Sequence, residues 1–176
     1  MFDSLFAPIL LYGNALWSVG KNENIEKVHL QCAERILAVR VTTPNCLVYG
    51  GLGRCPLDIN IKCRILCFWG RLMTTEKLSS KIYKLLFKLY ANGNSQTLYV
   101  KHILNILDNI GLSCIFRNQM LVNIIWIKTH VKQILIDQFI QHLRSEIGNS
   151  SRCHLYSLLN QEFCIERICY VSNKSI

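Results

Sequence analysis

Lys77, Lys81, Lys84 and Lys88 recur at a spacing that could do one kind of chemistry. At about 100° per residue they fall on one line of an α-helix. Leu78, Ile82, Leu85 and Leu89 fall on a second line, and Tyr83, Phe87 and Tyr90 on a third. A ridge of one sign holds a polyanion: rising 1.5 Å per residue it would extend about 16 Å and follow several phosphates. Like charges at these spacings repel by a few tenths of a kcal/mol per pair, so a neutralising partner relieves a standing cost. Such contacts fix position and affinity without reading base sequence. The same pattern also describes an ordinary amphipathic helix with solvated lysines and aromatic residues that widen its core face. Arg54, Lys62 and Arg64 extend the set of candidate phosphate contacts, with Tyr83 and Tyr90 as stacking or packing residues.

Other chemistries find little support. Asp3, Asp58, Asp108 and Asp137 are scattered and form no Asp-Asp pair, whereas phosphoryl-transfer centres cluster carboxylates around two metal ions. No nucleophile elbow, His-Glu-x-x-His helix or P-loop occurs. The run Gly50-Gly51-Leu52-Gly53-Arg54 lacks the Gly-Lys-Ser/Thr ending of a phosphate loop and reads as a turn between helices. The nine cysteines are odd in number and fall mostly in helical patterns, as expected of free thiols in a reducing compartment. Cys63 with Cys67, Cys153 with His154, and Cys164 with Cys169 are the pairs to test for zinc, though core packing is the competing explanation for each. His29 and His130 lie within helical stretches and read as structural. No catalytic residue, metal or cofactor is expected, and no small-molecule substrate.

The elements that would position the ridge can be read from periodicity. About half of the 176 residues are apolar (51%) and only 18% are charged, which excludes a disordered chain and predicts a buried core. The region 58–100 carries a charge of +5 out of the formal net +9, so the positive field lies mid-chain. No apolar run is long enough for a membrane span, and the opening stretch has no basic n-region or cleavage site, so neither insertion nor export is expected. The opening, Phe2 to Trp17, reads as a buried helix. A second helix follows, with Ile25, Val28, Cys32, Ile36 and Val39 on its core face. Thr43 as N-cap and Pro44 at the first position predict a short helix ending by Gly50-Gly51. Leu57 to Met73 predicts a third long helix with Ile61, Ile65, Phe68 and Leu72 inward, where Trp69 is either core or partner surface. Ala91 to Ser95 predicts a linker between two lobes, with Ser95 capping a helix that Gly111 stops after Asn109. Arg117 to Ile147 predicts one long helix, and His154 to Ile168 a short last one. The fold class expected is all-α, an irregular bundle of six to eight helices.

Several strings resemble a known family. Phe2-Asp3-Ser4-Leu5, Ala7 to Gly13, Trp17, Ile25 to Leu30 and Ile36 to Val39 are similar to the segment that follows the polymerase palm in reverse transcriptases of non-LTR retrotransposons, the jockey-like group. The likeness continues through Thr43-Pro44-Asn45, Val48-Tyr49-Gly50, Leu52-Gly53-Arg54, Pro56-Leu57 and Phe68-Trp69, then thins to scattered matches such as Asp137-Gln138-Phe139. Gly51 departs from the pattern, which has an acidic residue there, and Asn14 is atypical; both would suit a decayed copy.

The resemblance implies a thumb-like helical region over 1–90 and a C-terminal helical extension over 91–176. It implies a non-catalytic part of an RNA-directed DNA polymerase that grips RNA template, DNA or hybrid duplex, with the polymerase palm as a further partner. The chain lacks the Tyr/Phe-x-Asp-Asp core of that family and is not an enzyme by itself. A cytoplasmic or nuclear location is expected. Two alternatives stand beside this reading: a helical protein-interaction module whose lysines serve solubility, and a relic without function.

Overall fold

The computed structural model describes residues 2–18, 22–93, 97–120 and 123–159. Every regular element among them is helical, with eight α-helices of five residues or more, so the fold is all-α as expected. The chain divides into two compact units, each built from separated stretches. The first combines Asp3–Asn22 with Asp58–Leu135, the second Glu23–Leu57 with the chain from Ile136 onward. The lobe boundary expected near residue 91 therefore falls inside the first unit.

In the first unit the opening stretch is not the buried helix its composition suggests. A wide π-type turn, Phe2–Phe6, leads into α1 (Ala7–Leu10), and α2 (Asn14–Trp17) follows after Gly13 takes a left-handed φ of 64°. That conformation suits a residue without a side chain and breaks the helix in two. Leu11 and Asn14 are buried, but Leu5, Phe6, Ile9, Tyr12 and Leu16 are exposed.

The centre of the unit is α5 (Leu57–Thr74), buried on most sides through Ile61, Ile65, Leu66, Trp69 and Leu72. Trp69 is 1% exposed, which places it in the core rather than at a partner surface. Next come α6 (Leu78–Ala91) and α7 (Leu98–Asn109), which buries Val100, Ile103, Ile106 and Leu107. Gly111 turns the chain after α7 with φ 72°. Of the expected linker, Ala91 still belongs to α6 and Asn92 and Gly93 form a turn, while the Ser95 cap lies outside the described residues.

The expected single helix from Arg117 is interrupted. A short α8 (Ser113–Arg117) ends where Gln119 adopts φ 46°. The long helix begins only after Asn123, whose side chain accepts from the Ile125 backbone N–H at 2.8 Å and so caps its first turn. It runs through α9 (Ile124–Trp126), a π-type segment Ile127–Val131, and α10 (Lys132–Asn149). Its seam is as expected at Ile127, Val131, Leu135 and Leu143, all buried.

The second unit packs α3 (Glu23–Leu37) on α4 (Asn45–Leu52). The buried face of α3 is His29, Ala33 and Glu34, whereas Val28, Ile36 and Val39 are exposed, so the face expected from hydropathy is not the one that packs. Polar interactions select this face. The Tyr49 hydroxyl donates to the Glu26 carboxylate, the same carboxylate lies 3.1 Å from His29 Nδ1, and the Tyr49 ring meets Phe139 edge-on at 5.6 Å. His29 is therefore a packing histidine. Pro44 occupies the N-cap of α4, one position later than expected, and the helix continues through Gly50 and Gly51 to a left-handed Gly53 (φ 61°). Around this pair Cys46, Tyr49, Leu143, Ile147 and Cys153 form a core. The predicted closing helix is seen as α11 (His154–Leu159); its remainder, with Cys164 and Cys169, lies outside the described residues.

Candidate nucleic-acid interface

The orientation of α6 is set by its aromatic line. Tyr83 is 2% exposed, accepts a hydrogen bond from Trp69 Nε1 at 2.8 Å and donates to Gln119 Oε1 at 3.3 Å. Gln119 in turn donates through Nε2 to the Phe116 carbonyl at 2.6 Å, at the end of α8. Phe87 and Tyr90 pack edge-on against Phe116 at 5.5 and 6.1 Å, and Trp69 lies 6.1 Å from the same ring. Offset and edge-to-face rings at these separations add to the apolar burial that already favours large side chains inside. Tyr83 is thus fixed by two polar partners and by the rings around it.

With that line inward, the lysine line must face outward. Lys77, at the N-cap of α6, and Lys81, Lys84 and Lys88 are all exposed. Beside them Leu78, Ile82, Leu85 and Leu89 are exposed as well, at 73, 50, 59 and 37%. The outer surface of α6 therefore has a cationic edge and a parallel apolar edge, the latter a line that hydropathy alone would place in the core.

The remaining candidates are placed differently. Lys62 pairs with Asp58 at 2.6 Å one turn away, and Arg64 donates from Nη1 to the Leu11 carbonyl at 3.2 Å. Arg54 belongs to the second unit, half-buried just past the end of α4. Tyr83 is withdrawn from solvent and cannot stack on a base, which corrects its place among the binding residues. Tyr90 is half-buried against Phe116 and keeps part of its ring at the surface.

Spacing alone does not single out Arg71, Lys128 and Lys132, which the first unit gathers around Arg64 along one cleft. Arg64 and Arg71 are seven residues apart and Lys128 and Lys132 four, so each pair shares a helix face, but only the tertiary fold brings the pairs together. Among the described residues no group of three or more His, Cys, Asp or Glu is arranged to hold a metal ion. Cys63 and Cys67 are buried in α5, where burial pushes the Cys63 thiol up to about 11 and raises that of Cys67. At neutral pH both are protonated and unreactive. No described helix is long and apolar enough to cross a membrane. Comparison with protein-family models, with curated proteins and with solved structures yields no match.

Proposed function

We propose that this chain is a nucleic-acid grip without a catalytic centre, a helical part of an RNA-directed DNA polymerase of the non-LTR retrotransposon kind. The observation that carries the reading is the solvent-facing line of Lys77, Lys81, Lys84 and Lys88, on a helix whose opposite side is anchored in the aromatic core. A rigid helix presents its charges at fixed intervals, so docking a phosphate backbone costs lysine rotamer freedom but no backbone order. Lys62 and Arg64 are secondary contacts, since each already has a partner within the protein. The resemblance of residues 2 to 72 to the region beyond a polymerase palm supports the same assignment, and reacting metals would belong to that palm.

The exposed Leu78, Ile82, Leu85 and Leu89 favour a second reading, a protein-interaction helix, because a free edge of this length is unusual unless covered by a partner. Salt separates the two. Fluorescence anisotropy with a labelled oligonucleotide should show affinity falling steeply with salt, and Lys77, Lys81, Lys84 and Lys88→Gln together should flatten the log–log slope by roughly three to four units. Equal affinity and equal slope for the variant and the wild type would reject the grip and leave the protein-interaction reading.

A further inference from the structure

A second cationic feature lies apart from the lysine line, in the first unit. A cleft of about 710 Å3 is bounded by the opening segment, by α5 and by the start of the long helix after Asn123. Arg64, Arg71, Lys128 and Lys132 line it together with Asn14 and Asn60, and among the described residues no carboxylate does. Four cations from two separate elements therefore share one concave space without a described counter-charge in its wall. Coulomb repulsion between like charges rises as water is displaced, so such a wall is relieved by an anion.

Asn14 forms part of the wall: it is 2% exposed, and among the described residues its Nδ2, sealed from solvent, has no hydrogen-bond partner, so the cations carry the site.

We infer that this cleft is a binding site for a compact oligophosphate, held by Arg71, Lys128 and Lys132. Arginine offers paired N–H groups to phosphate oxygens and lysine a mobile point charge, and a site of both is suited to several phosphates at once. A small ligand is the occupant assigned because the cleft volume lies within the range of small-molecule pockets and its cations come from two elements around one space rather than from one helix edge. The site shares no residue with the lysine line of α6, so the two stand or fall separately.

Inorganic tripolyphosphate titrated into the full chain by calorimetry tests the assignment. The wild type should bind saturably with one site. Arg71→Gln, Lys128→Gln and Lys132→Gln combined should weaken binding by at least about tenfold, since each removes a charge-assisted contact. These side chains are exposed, and circular dichroism checks that the fold is kept. The quadruple lysine variant of α6 should bind tripolyphosphate as the wild type does.

Absence of binding to the wild type overturns the assignment, as does equal loss in the α6 variant, which would mark general charge attraction. Equal competition by sulfate at matched ionic strength would do the same. If the cleft variant instead loses oligonucleotide affinity and the wild type ignores tripolyphosphate, the cleft belongs to the nucleic-acid track and not to a small ligand.

Discussion

At the scale of single residues, Tyr83 decides more than any lysine. Its hydroxyl satisfies the buried indole N–H of Trp69, and its ring fixes which side of α6 turns inward. Burial raises its phenol above the ordinary value of 10.0, with the bonds to Trp69 and Gln119 opposing that rise. Tyr83→Phe keeps the ring but leaves the indole donor unpaired. It should destabilise the protein by about 1–3 kcal/mol, the cost of an unmade buried hydrogen bond. Urea unfolding followed by tryptophan fluorescence measures the loss, and oligonucleotide affinity should not change beyond it. A variant as stable as the wild type would show that Trp69 finds another acceptor and that the tyrosine is dispensable for orienting the helix.

At the scale of elements, the glycines of α4 divide into two kinds. Gly51 lies inside the helix, exposed, and a methyl there would meet Leu37 Cδ1 at 3.4 Å, an ordinary contact. Gly51→Ala should therefore stabilise the second unit by up to about 1 kcal/mol through helix propensity. Gly53, at φ 61°, closes the helix in a conformation that costs an L-residue roughly 1–2 kcal/mol, so Gly53→Ala should destabilise. Thermal melts of the two variants should shift in opposite directions, and a common direction would mean that α4 ends elsewhere in solution. The same helix shows what sequence reading can reach. Pro44 marks its start to within one position, and the glycine run suggests an end at Gly50-Gly51, just short of the observed Leu52, because glycine signals a break only where φ must be positive. The long α5 is legible because its apolar period and its proline agree. The extent of α6 is legible too, yet three lines at wide angles leave its inward face open, and the bulk of Tyr83, Phe87 and Tyr90 together with Phe116 settles it. Phe2 to Trp17 misleads because apolar density measures a need for burial, not its fulfilment. The cleft lies beyond reach, since only the fold brings Arg64 and Lys132 to one wall.

At the scale of the whole molecule, buried ionisable groups set the pH range in which the fold holds. Burial, with the neighbouring Cys153 thiol 3.6 Å away as a lesser cause, raises Cys46 to about 11, and burial raises Cys63 to about 11 and Cys67 and Tyr99 in the same direction. Each is an acid whose protonated form is neutral. Once unfolded, a thiol releases its proton near the ordinary 9.0, whereas the folded chain keeps it to about 11 at Cys46 and Cys63. Stability from these groups is complete below pH 9 and falls as pH rises from there towards 11, because the unfolded state alone loses protons in that window. His102 acts on the other side. Burial lowers it from 6.5, so an unfolded chain takes up a proton that the folded one resists, and stability falls as pH drops below 6.5. The urea midpoint should therefore be level between about pH 6.5 and 9 and decline beyond both ends. Cys63→Ala should flatten the alkaline decline while lowering stability at neutral pH, since it removes a titrating group along with packed volume. A midpoint that holds constant from about pH 8 to about pH 10.5 would mean that these thiols are solvated in the native state, and the cores around α5 and around α4 would then have to be looser than their burial implies.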